Sequence, residues 1–176
     1  MGISQLTYAF AAVAMAAVLS FQFFVGSSIA RSQIYKNEIL TQVSGVATEI
    51  LEDIGASAFD NRTREDLFET PPAGAGALTP AASFGGVSAE DCASLCLDID
   101  DFHGLTFREE HGGFDFDVSI AVRYVNPDDP EQSSGTNTFA KEVILRITNS
   151  NIYHAGRPDS LMPIEIGRVF TYLQTS

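Results

Sequence analysis

Positive charge is scarce in this sequence, where 10 lysine and arginine residues stand against 23 aspartate and glutamate residues and the net charge is -13. A protein that binds a phosphate backbone needs cationic side chains, so we expect no nucleic-acid partner. Tryptophan is absent and only two cysteines occur, which excludes a disulfide framework as the main source of stability. Hydrophobic residues still make up 45% of the chain, which is enough to build a globular core.

The motifs of common enzymes are also missing. The sequence contains only three histidines, which are His103, His111 and His154. The chain contains no Gly-x-Ser-x-Gly elbow, no phosphate-binding loop and no His-Glu-x-x-His helix. We therefore predict that the protein is not an enzyme, with no catalytic residues and no cofactor.

One acidic cluster, formed by Asp98, Asp100 and Asp101, offers oxygen ligands that would suit calcium. The EF-hand spacing and its distal glutamate are missing, however. A solvated acidic turn in which aspartates cap the backbone is therefore the favoured interpretation. His103 is interpreted as packed beside Phe102 rather than as a metal ligand.

The two cysteines, Cys92 and Cys96, are four positions apart. On a regular helix their Cβ atoms would be about 5–6 Å apart, whereas a disulfide needs about 3.5–4.5 Å. A zinc site would need further ligands, and none are grouped with the pair. If the domain lies outside the cytoplasm we expect a disulfide with a locally distorted turn, and two buried thiols are the alternative.

A long stretch from Leu6 to Ala30 contains no charged side chain. A cleaved signal has a basic start and an apolar stretch of about 7–15 residues, whereas a spanning helix needs roughly 20. Here no basic residue precedes the stretch, and it is too long for a signal. We therefore expect the mature protein to retain it, with its many alanines allowing helices to approach closely.

Helical periodicity continues beyond this stretch. From Arg31 to Phe59 there is no proline, and apolar residues recur in steps of three and four. The pattern predicts one nearly continuous helix from about Ser4 to about Asp60, roughly 80 Å long. Its first half is uniformly apolar, and its second half is amphipathic with an apolar stripe. That stripe contains Leu40, Val43, Ala47, Ile50, Ile54 and Ala58, and it is broadened by Ile39, Val46 and Leu51.

Strict alternation of apolar and polar residues follows in the C-terminal half and predicts strands. The clearest case is "FDFDVSIAVRYV", and "TFAKEVILRIT", "PIEIGRVFTYLQT" and "GLTFREE" are the others. The segment "NPDDPEQSSGTN" is predicted to be a long turn. Because no helical crossover separates the strands, the sheet should be antiparallel.

These elements predict an α+β fold, in which the amphipathic half of the long helix packs on the antiparallel sheet. The expected divisions are 1–30 for the apolar helix, 31–60 for the amphipathic half, 61–97 for a connector with a short helical turn and 98–176 for the β domain. The side chains expected to make the contact are Val43, Ala47, Ile50 and Ile54 on the helix, and Phe116, Val118, Ile120, Val143 and Leu145 on the strands.

This plan resembles that of the type IV pilins and pseudopilins, with "VATEILEDIGASAFDNRT" and "DIDDFHG" as the most similar segments. In that family the apolar half-helix lies in the inner membrane and then packs into the core of a filament. The resemblance implies a bacterial, pilus-like extracellular filament at the cell surface, with further copies of the chain and an assembly machinery as partners. The residues expected in the polymer core are Leu6, Phe10, Val13, Ala17, Val18, Phe21, Phe24 and Val25.

The N-terminus departs from the pattern of that family. The family usually begins with a basic leader ending in glycine, and its mature chain carries glutamate at the fifth position. Here the fifth residue is Gln5, or Thr7 if the chain is cut after Gly2. We therefore expect a leaderless or divergent start. The alternative function is a membrane-anchored pseudopilin or accessory component of a secretion or pilus assembly machine.

Overall fold

A computed structural model describes residues 2–64, 72–150, 153–154 and 157–172. One continuous helix, α1, runs over Ile3–Ala56, which confirms the predicted long helix and ends it a few residues earlier than expected. The chain forms two compact units, Met1–Thr41 and Gln42–Ser176. The described part of the first unit is helix throughout, from Ile3 onward. The second contains the remainder of α1 and all of the strands.

The second unit is built around an antiparallel sheet of five strands. The order β1-β2-β4-β7 forms its body, β3 adds to β2, and β5 and β6 make a separate two-stranded pair. The predicted α+β fold is thus confirmed. The strands span Thr106–His111 (β1), Phe114–Asn126 (β2), Asp129–Ser133 (β3), Ala140–Thr148 (β4), Tyr153–His154 (β5), Arg157–Leu161 (β6) and Ile164–Thr171 (β7).

Strand β3 corrects one prediction. It lies inside the segment predicted to be a long turn, and it pairs with the end of β2 through Val125 and Ser133. Proline and acidic residues argue against a central strand, but they are tolerated in a short edge strand because the missing N–H of Pro130 need not join a ladder. The segment is therefore a tight connection followed by an edge strand.

Strand residues point alternately to the two faces of the sheet. The alternate residues that point to the inner face are mostly apolar. Residues 42–56 of α1 cover this face, and the contacts reach both ends of the sheet. The ring of His111 lies against Gly45, and the ring of Phe170 lies against Gly55. The buried residues of this layer are Val43, Val46, Ala47, Leu51 and Ile54 on the helix and Phe116, Val118, Ile120, Val122, Val143, Leu145 and Ile147 on the strands.

Ile50 differs from the other residues predicted to pack between helix and sheet. Its side chain is only half-buried, and it lines an open cleft together with Leu105 and Phe107. Its neighbours Val46 and Leu51 are 1% and 5% exposed. The buried side of the helix is therefore centred closer to Val46 and Leu51, which the sequence pattern placed at the margin of the stripe, than to Ile50.

The two glycines in this part of α1 allow the close approach of the strands. A Cβ atom at Gly55 would lie 2.9 Å from Cε1 of Phe170, and one at Gly45 would lie 3.3 Å from Nε2 of His111. Glycine lowers helix stability by about 1 kcal/mol relative to alanine. Here that cost is offset by contact between the helix backbone and side chains of the sheet.

Two irregular segments meet just beyond the end of α1. Ala58 forms a parallel bridge with Asp98, in which the Ile99 N–H donates to the Ala58 carbonyl at 2.9 Å. Each segment then enters a short 3₁₀ turn, over Asn61–Thr63 and Ile99–Phe102 respectively. This bridge brings residues that are about 40 positions apart in the sequence to one edge of the core.

Candidate functional site: a buried lysine among three aspartates

Lys141 is a charged residue in the apolar layer of the sheet. It lies on β4 in phase with Val143 and Leu145, and it pairs with Tyr124 of β2. The alternation of the strand therefore directs its side chain into the core, where it is 0% exposed. A lysine is almost never fully buried unless its ammonium group is paired.

The first partner of Lys141 is Asp60, which follows the end of α1 and caps the Asn61–Thr63 turn. Its Oδ2 lies 3.0 Å from Nζ of Lys141, and Nζ also donates to the Phe59 carbonyl at 2.7 Å. The carboxylate of Asp60 accepts three further hydrogen bonds, from the Arg62 N–H and from the N–H and hydroxyl of Thr79. Both carboxylate oxygens of Asp60 therefore accept hydrogen bonds although the side chain is buried.

The second partner is Asp100, in the Ile99–Phe102 turn. Its Oδ1 lies 2.6 Å from Nζ of Lys141. Asp98 begins the same turn and accepts from the N–H groups of Asp100 and Asp101. Asp98 and Asp100 are 4% and 3% exposed. Three carboxyl groups thus converge around one ammonium group, and we call Lys141, Asp60, Asp98 and Asp100 the buried charge cluster.

Aromatic rings surround the ammonium group of Lys141. Nζ lies 4.5 Å from the ring centre of Phe59 and 5.3 Å from those of Phe84 and Tyr124, within the range of cation–π attraction. Gly85 fixes the segment that carries Phe84, since it adopts a φ of +77° and donates its N–H to the Asp100 carbonyl at 2.9 Å. A side chain at this position would collide with the backbone of His103.

The aspartates of the cluster differ in their affinity for protons. Burial favours the neutral form of Asp60, but the N–H of Arg62 and the charge of Lys141 outweigh it, so the pKa of Asp60 is lowered. Burial raises the pKa of Asp100 to about 7, although Lys141 acts in the opposite direction. Burial and the nearby charge of Asp101 also raise the pKa of Asp98. Asp60 is therefore the strongest acid of the three, and Asp100, with a pKa of about 7, gains a proton near neutral pH.

The predicted acidic turn is only partly correct. Asp98 caps the turn as expected, but Asp98 and Asp100 are buried rather than solvated, because they face Lys141. Asp101 points elsewhere and accepts from the N–H groups of Leu97 and Asp98. Oxygens of Asp60, Asp98 and Asp100 lie within 4.8 Å of one another. A calcium ion among them would lie beside the ammonium group of Lys141, so the donor set does not fit a metal ion.

The remaining candidate residues lie outside the cluster. Cys92 and Cys96 are joined in a disulfide that closes helix α2, Cys92–Leu95. His103 accepts a hydrogen bond from the Val122 N–H at Nδ1 and packs edge-on against Phe84. Its ring therefore supports the backbone of β2.

The residues predicted for the polymer core are exposed where the structure describes their side chains. Phe10, Val13 and Val18 are 69%, 69% and 55% exposed, and Phe21, Phe24 and Val25 are 68%, 72% and 38% exposed. Ala17 is exposed as well, and the side chain of Leu6 lies outside the described residues. By length and composition α1 could cross a membrane, a property it shares with signal sequences near an N-terminus.

Sequence reasoning missed two members of the cluster. Lys141 occupies the same phase of "TFAKEVILRIT" as Val143, Leu145 and Ile147, and this was the available signal for a buried lysine. Asp60 was interpreted as the end of the helix, and nothing local marks it as a partner of a residue 81 positions away. Comparisons with protein-family models, with curated proteins and with solved structures find no match.

Proposed function

We propose that this protein is a structural subunit that polymerises through its N-terminal helix into a pilus-like extracellular filament. Before assembly the helix lies in the membrane. One observation carries this proposal, namely that large apolar side chains from Phe10 to Val25 are exposed in the first unit. Contiguous apolar surface of this kind is rare on soluble monomers and marks contact with a membrane or with another protein.

A second copy of the chain is the occupant that fits this surface best. The helix is uncharged from Leu6 to Ala30 and contains six alanines between Ala9 and Ala17, which let neighbouring helices approach closely. Burying each large apolar side chain contributes about 1.5–3 kcal/mol relative to leaving it in water. The folded second unit, with net acidic composition, would face solvent around such a core.

The alternative is a membrane-anchored accessory component of a secretion or pilus assembly machine. It is favoured by the same helix, since one span of sufficient length and apolar composition is what a single anchor needs. In this case the helix would remain in lipid, and the second unit would act beside the membrane. The two functions differ in whether copies of the helix contact each other.

Electron microscopy of material sheared from cells that express the chain would test the proposal. We expect filaments, and N-terminal sequencing of the purified filament should find residues 6–30 retained. Val18→Asp should abolish the filaments because it places an unpaired charge in an apolar core. Val18→Ala is the matched control and should still assemble.

Two results would contradict the filament. One is a wild-type chain that stays in the membrane fraction as a monomer, which would favour the anchored accessory component. The other is normal assembly by Val18→Asp, which would show that this part of the helix is not in the core.

A further inference from the structure

The contact between the Lys141 amine and the Asp100 carboxyl group is short, but it is not a regular hydrogen bond. Nζ lies 2.6 Å from Oδ1 of Asp100, yet among the residues that the structure describes neither oxygen of that carboxyl group has a hydrogen-bond partner of regular geometry. The same Nζ donates well-formed hydrogen bonds to Phe59 and Asp60. Asp100 is thus held against an amine in a buried position, where the stabilisation that Lys141 gives its carboxylate form is outweighed by desolvation.

We propose that Nζ of Lys141 and Cγ of Asp100 are joined by an intramolecular isopeptide bond, formed by the folded chain itself with Asp60 as the proton acceptor. The product is a covalent cross-link between strand β4 and the turn over Ile99–Phe102. All of its participants belong to the second unit. The proposal therefore does not depend on whether the protein forms filaments.

The two aspartates that contact Lys141 are suited to different roles. Asp60 is fixed by four hydrogen-bond donors, including Nζ itself, and its lowered pKa keeps it anionic. An anionic carboxylate in contact with Nζ can accept its proton, and although the lowered pKa makes Asp60 a weak base, the charge of Lys141 that helps to lower it is lost as the amide forms. Asp100 has a pKa raised to about 7 by burial, so its neutral acid form is accessible near neutral pH. A neutral carboxyl group is the electrophile, because a carboxylate resists attack at carbon.

The bond forms with loss of one water molecule, and no oxidant or other reactant is needed. The ammonium group of Lys141 gives one proton to Oδ2 of Asp60, 3.0 Å away. The free amine attacks Cγ of neutral Asp100, and the carbonyl forms again as the C–OH bond breaks. The leaving hydroxyl takes a second proton from the nitrogen and departs as water. The third proton stays on the amide nitrogen, and Asp60 ends as a neutral acid.

The surroundings of the cluster favour the amide over the separated groups. The side chains of Lys141 and Asp100 are 0% and 4% exposed, so bulk water has little access to hydrolyse the bond. The rings of Phe59, Phe84 and Tyr124 enclose Nζ. Keeping ions in such an environment carries a desolvation penalty. A neutral amide removes two of those ions, whereas an unfolded chain in water has no such driving force.

Intact-mass measurement of the full chain, purified in detergent and reduced at its disulfide, would test the proposal. We expect a mass lower by one water molecule than the mass calculated from the sequence. Near-ultraviolet circular dichroism of the same sample would show that it is folded. A folded wild-type chain with the unmodified mass would overturn the proposal.

Tryptic digestion would locate the bond. Trypsin should fail to cleave after an acylated Lys141, so residues 65–108 and 124–146 should be recovered as one branched peptide. Fragmentation should place the branch between Lys141 and Asp100. A branch to Asp60 would overturn the roles assigned here, because Asp60 would then be the electrophile.

Three variants give the inference its controls. Asp100→Ala removes the electrophile and should keep the unmodified mass. Asp60→Asn keeps the shape of the side chain but not its basicity, so the cross-linked fraction should fall at least tenfold in chain that is folded. Asp101→Asn is the matched control, since Asp101 is adjacent in sequence but bonded elsewhere, and it should cross-link fully. Full cross-linking of Asp60→Asn would overturn the role of Asp60.

Discussion

The two units of this chain distribute polarity in opposite ways. The first exposes large apolar side chains, with Phe23 at 80% exposure, and the second buries a lysine and three aspartates to 4% exposure or less. Globular proteins normally expose charge and bury apolar groups. Each departure costs free energy unless a partner compensates it. For the helix that partner must come from outside the unit, whereas the buried charges find theirs within the same unit.

Removal of the Lys141 side chain should cause the largest loss of stability, because the buried aspartates of the second unit would lose their partner. Lys141→Met leaves Asp60, Asp98 and Asp100 buried without their cation, and breaking a buried pair costs about 3–5 kcal/mol. Chemical unfolding of the full chain in detergent, followed by near-ultraviolet circular dichroism, would measure the loss. Lys36→Met removes the same charge from an exposed position and should change stability little. Equal losses in the two variants would contradict the role of the cluster.

The Lys141→Met variant should also depend on pH in a defined direction. The pKa of Asp100 is raised to about 7 and that of Asp98 is raised even with Lys141 present, and both should rise further without it. At pH values between the ordinary aspartate pKa of 3.8 and these raised pKa values, Asp98 and Asp100 are protonated in the folded variant but ionised in the unfolded chain. The stability of the variant is therefore greatest at acidic pH and falls as pH increases through 7. A melting temperature that stays constant or rises as the pH increases from about 4.5 to about 7.5 would contradict this expectation.

Smaller losses of stability are expected from substitutions in the helix stripe, and their order would show which of its residues pack on the sheet. Ile54 is 0% exposed, so Ile54→Ala should cost about 2–5 kcal/mol. Ile50→Ala should cost clearly less, because Ile50 lines an open cleft. Thr48→Ala, at an exposed position, should stay within about 0.5 kcal/mol. Unfolding of the three variants in detergent would rank them, and an equal loss for Ile54→Ala and Thr48→Ala would show that the helix is not held through this stripe.

The smallest effect is expected at the disulfide. Cys92 and Cys96 close a loop of only a few residues, and the loss of entropy in the unfolded chain grows with loop length. Replacing both with serine should therefore destabilise the second unit by less than about 2 kcal/mol. A larger loss of unfolding free energy would mean that α2 contributes contacts to the core that its half-exposed position does not indicate.

Periodicity was enough to predict the long helix and the main strands. The steps of three and four along α1 and the alternation along β2 each repeat over many residues, so a single exception does not hide them. Strand β3 was missed because its composition is that of a turn. The half-buried position of Ile50 was missed because a helical stripe can rotate by a fraction of a turn without altering the pattern.

The buried charge cluster could not be predicted in the same way. Lys141 interrupts an apolar row, and a lysine there is more commonly read as a residue at the solvent-exposed end of a strand. Its partners lie in two turns whose meeting depends on the bridge between Ala58 and Asp98. No local pattern encodes a contact between residues so far apart in sequence. Such a site becomes visible only when the packing of the whole unit is known.

The position of Lys141 also determines how the second unit would respond to tension. Strand β4 is hydrogen-bonded on both sides, to β2 and to β7, and Lys141 holds Phe59 and Asp60 just beyond the end of α1 at Ala56. A pull applied along residues 42–56 therefore passes directly into an inner strand of the sheet. Within the connector, Thr79 donates to Asp60 and the ring of Phe84 lies against the Lys141 ammonium group, so this mechanical link between helix and sheet depends on those two residues as well.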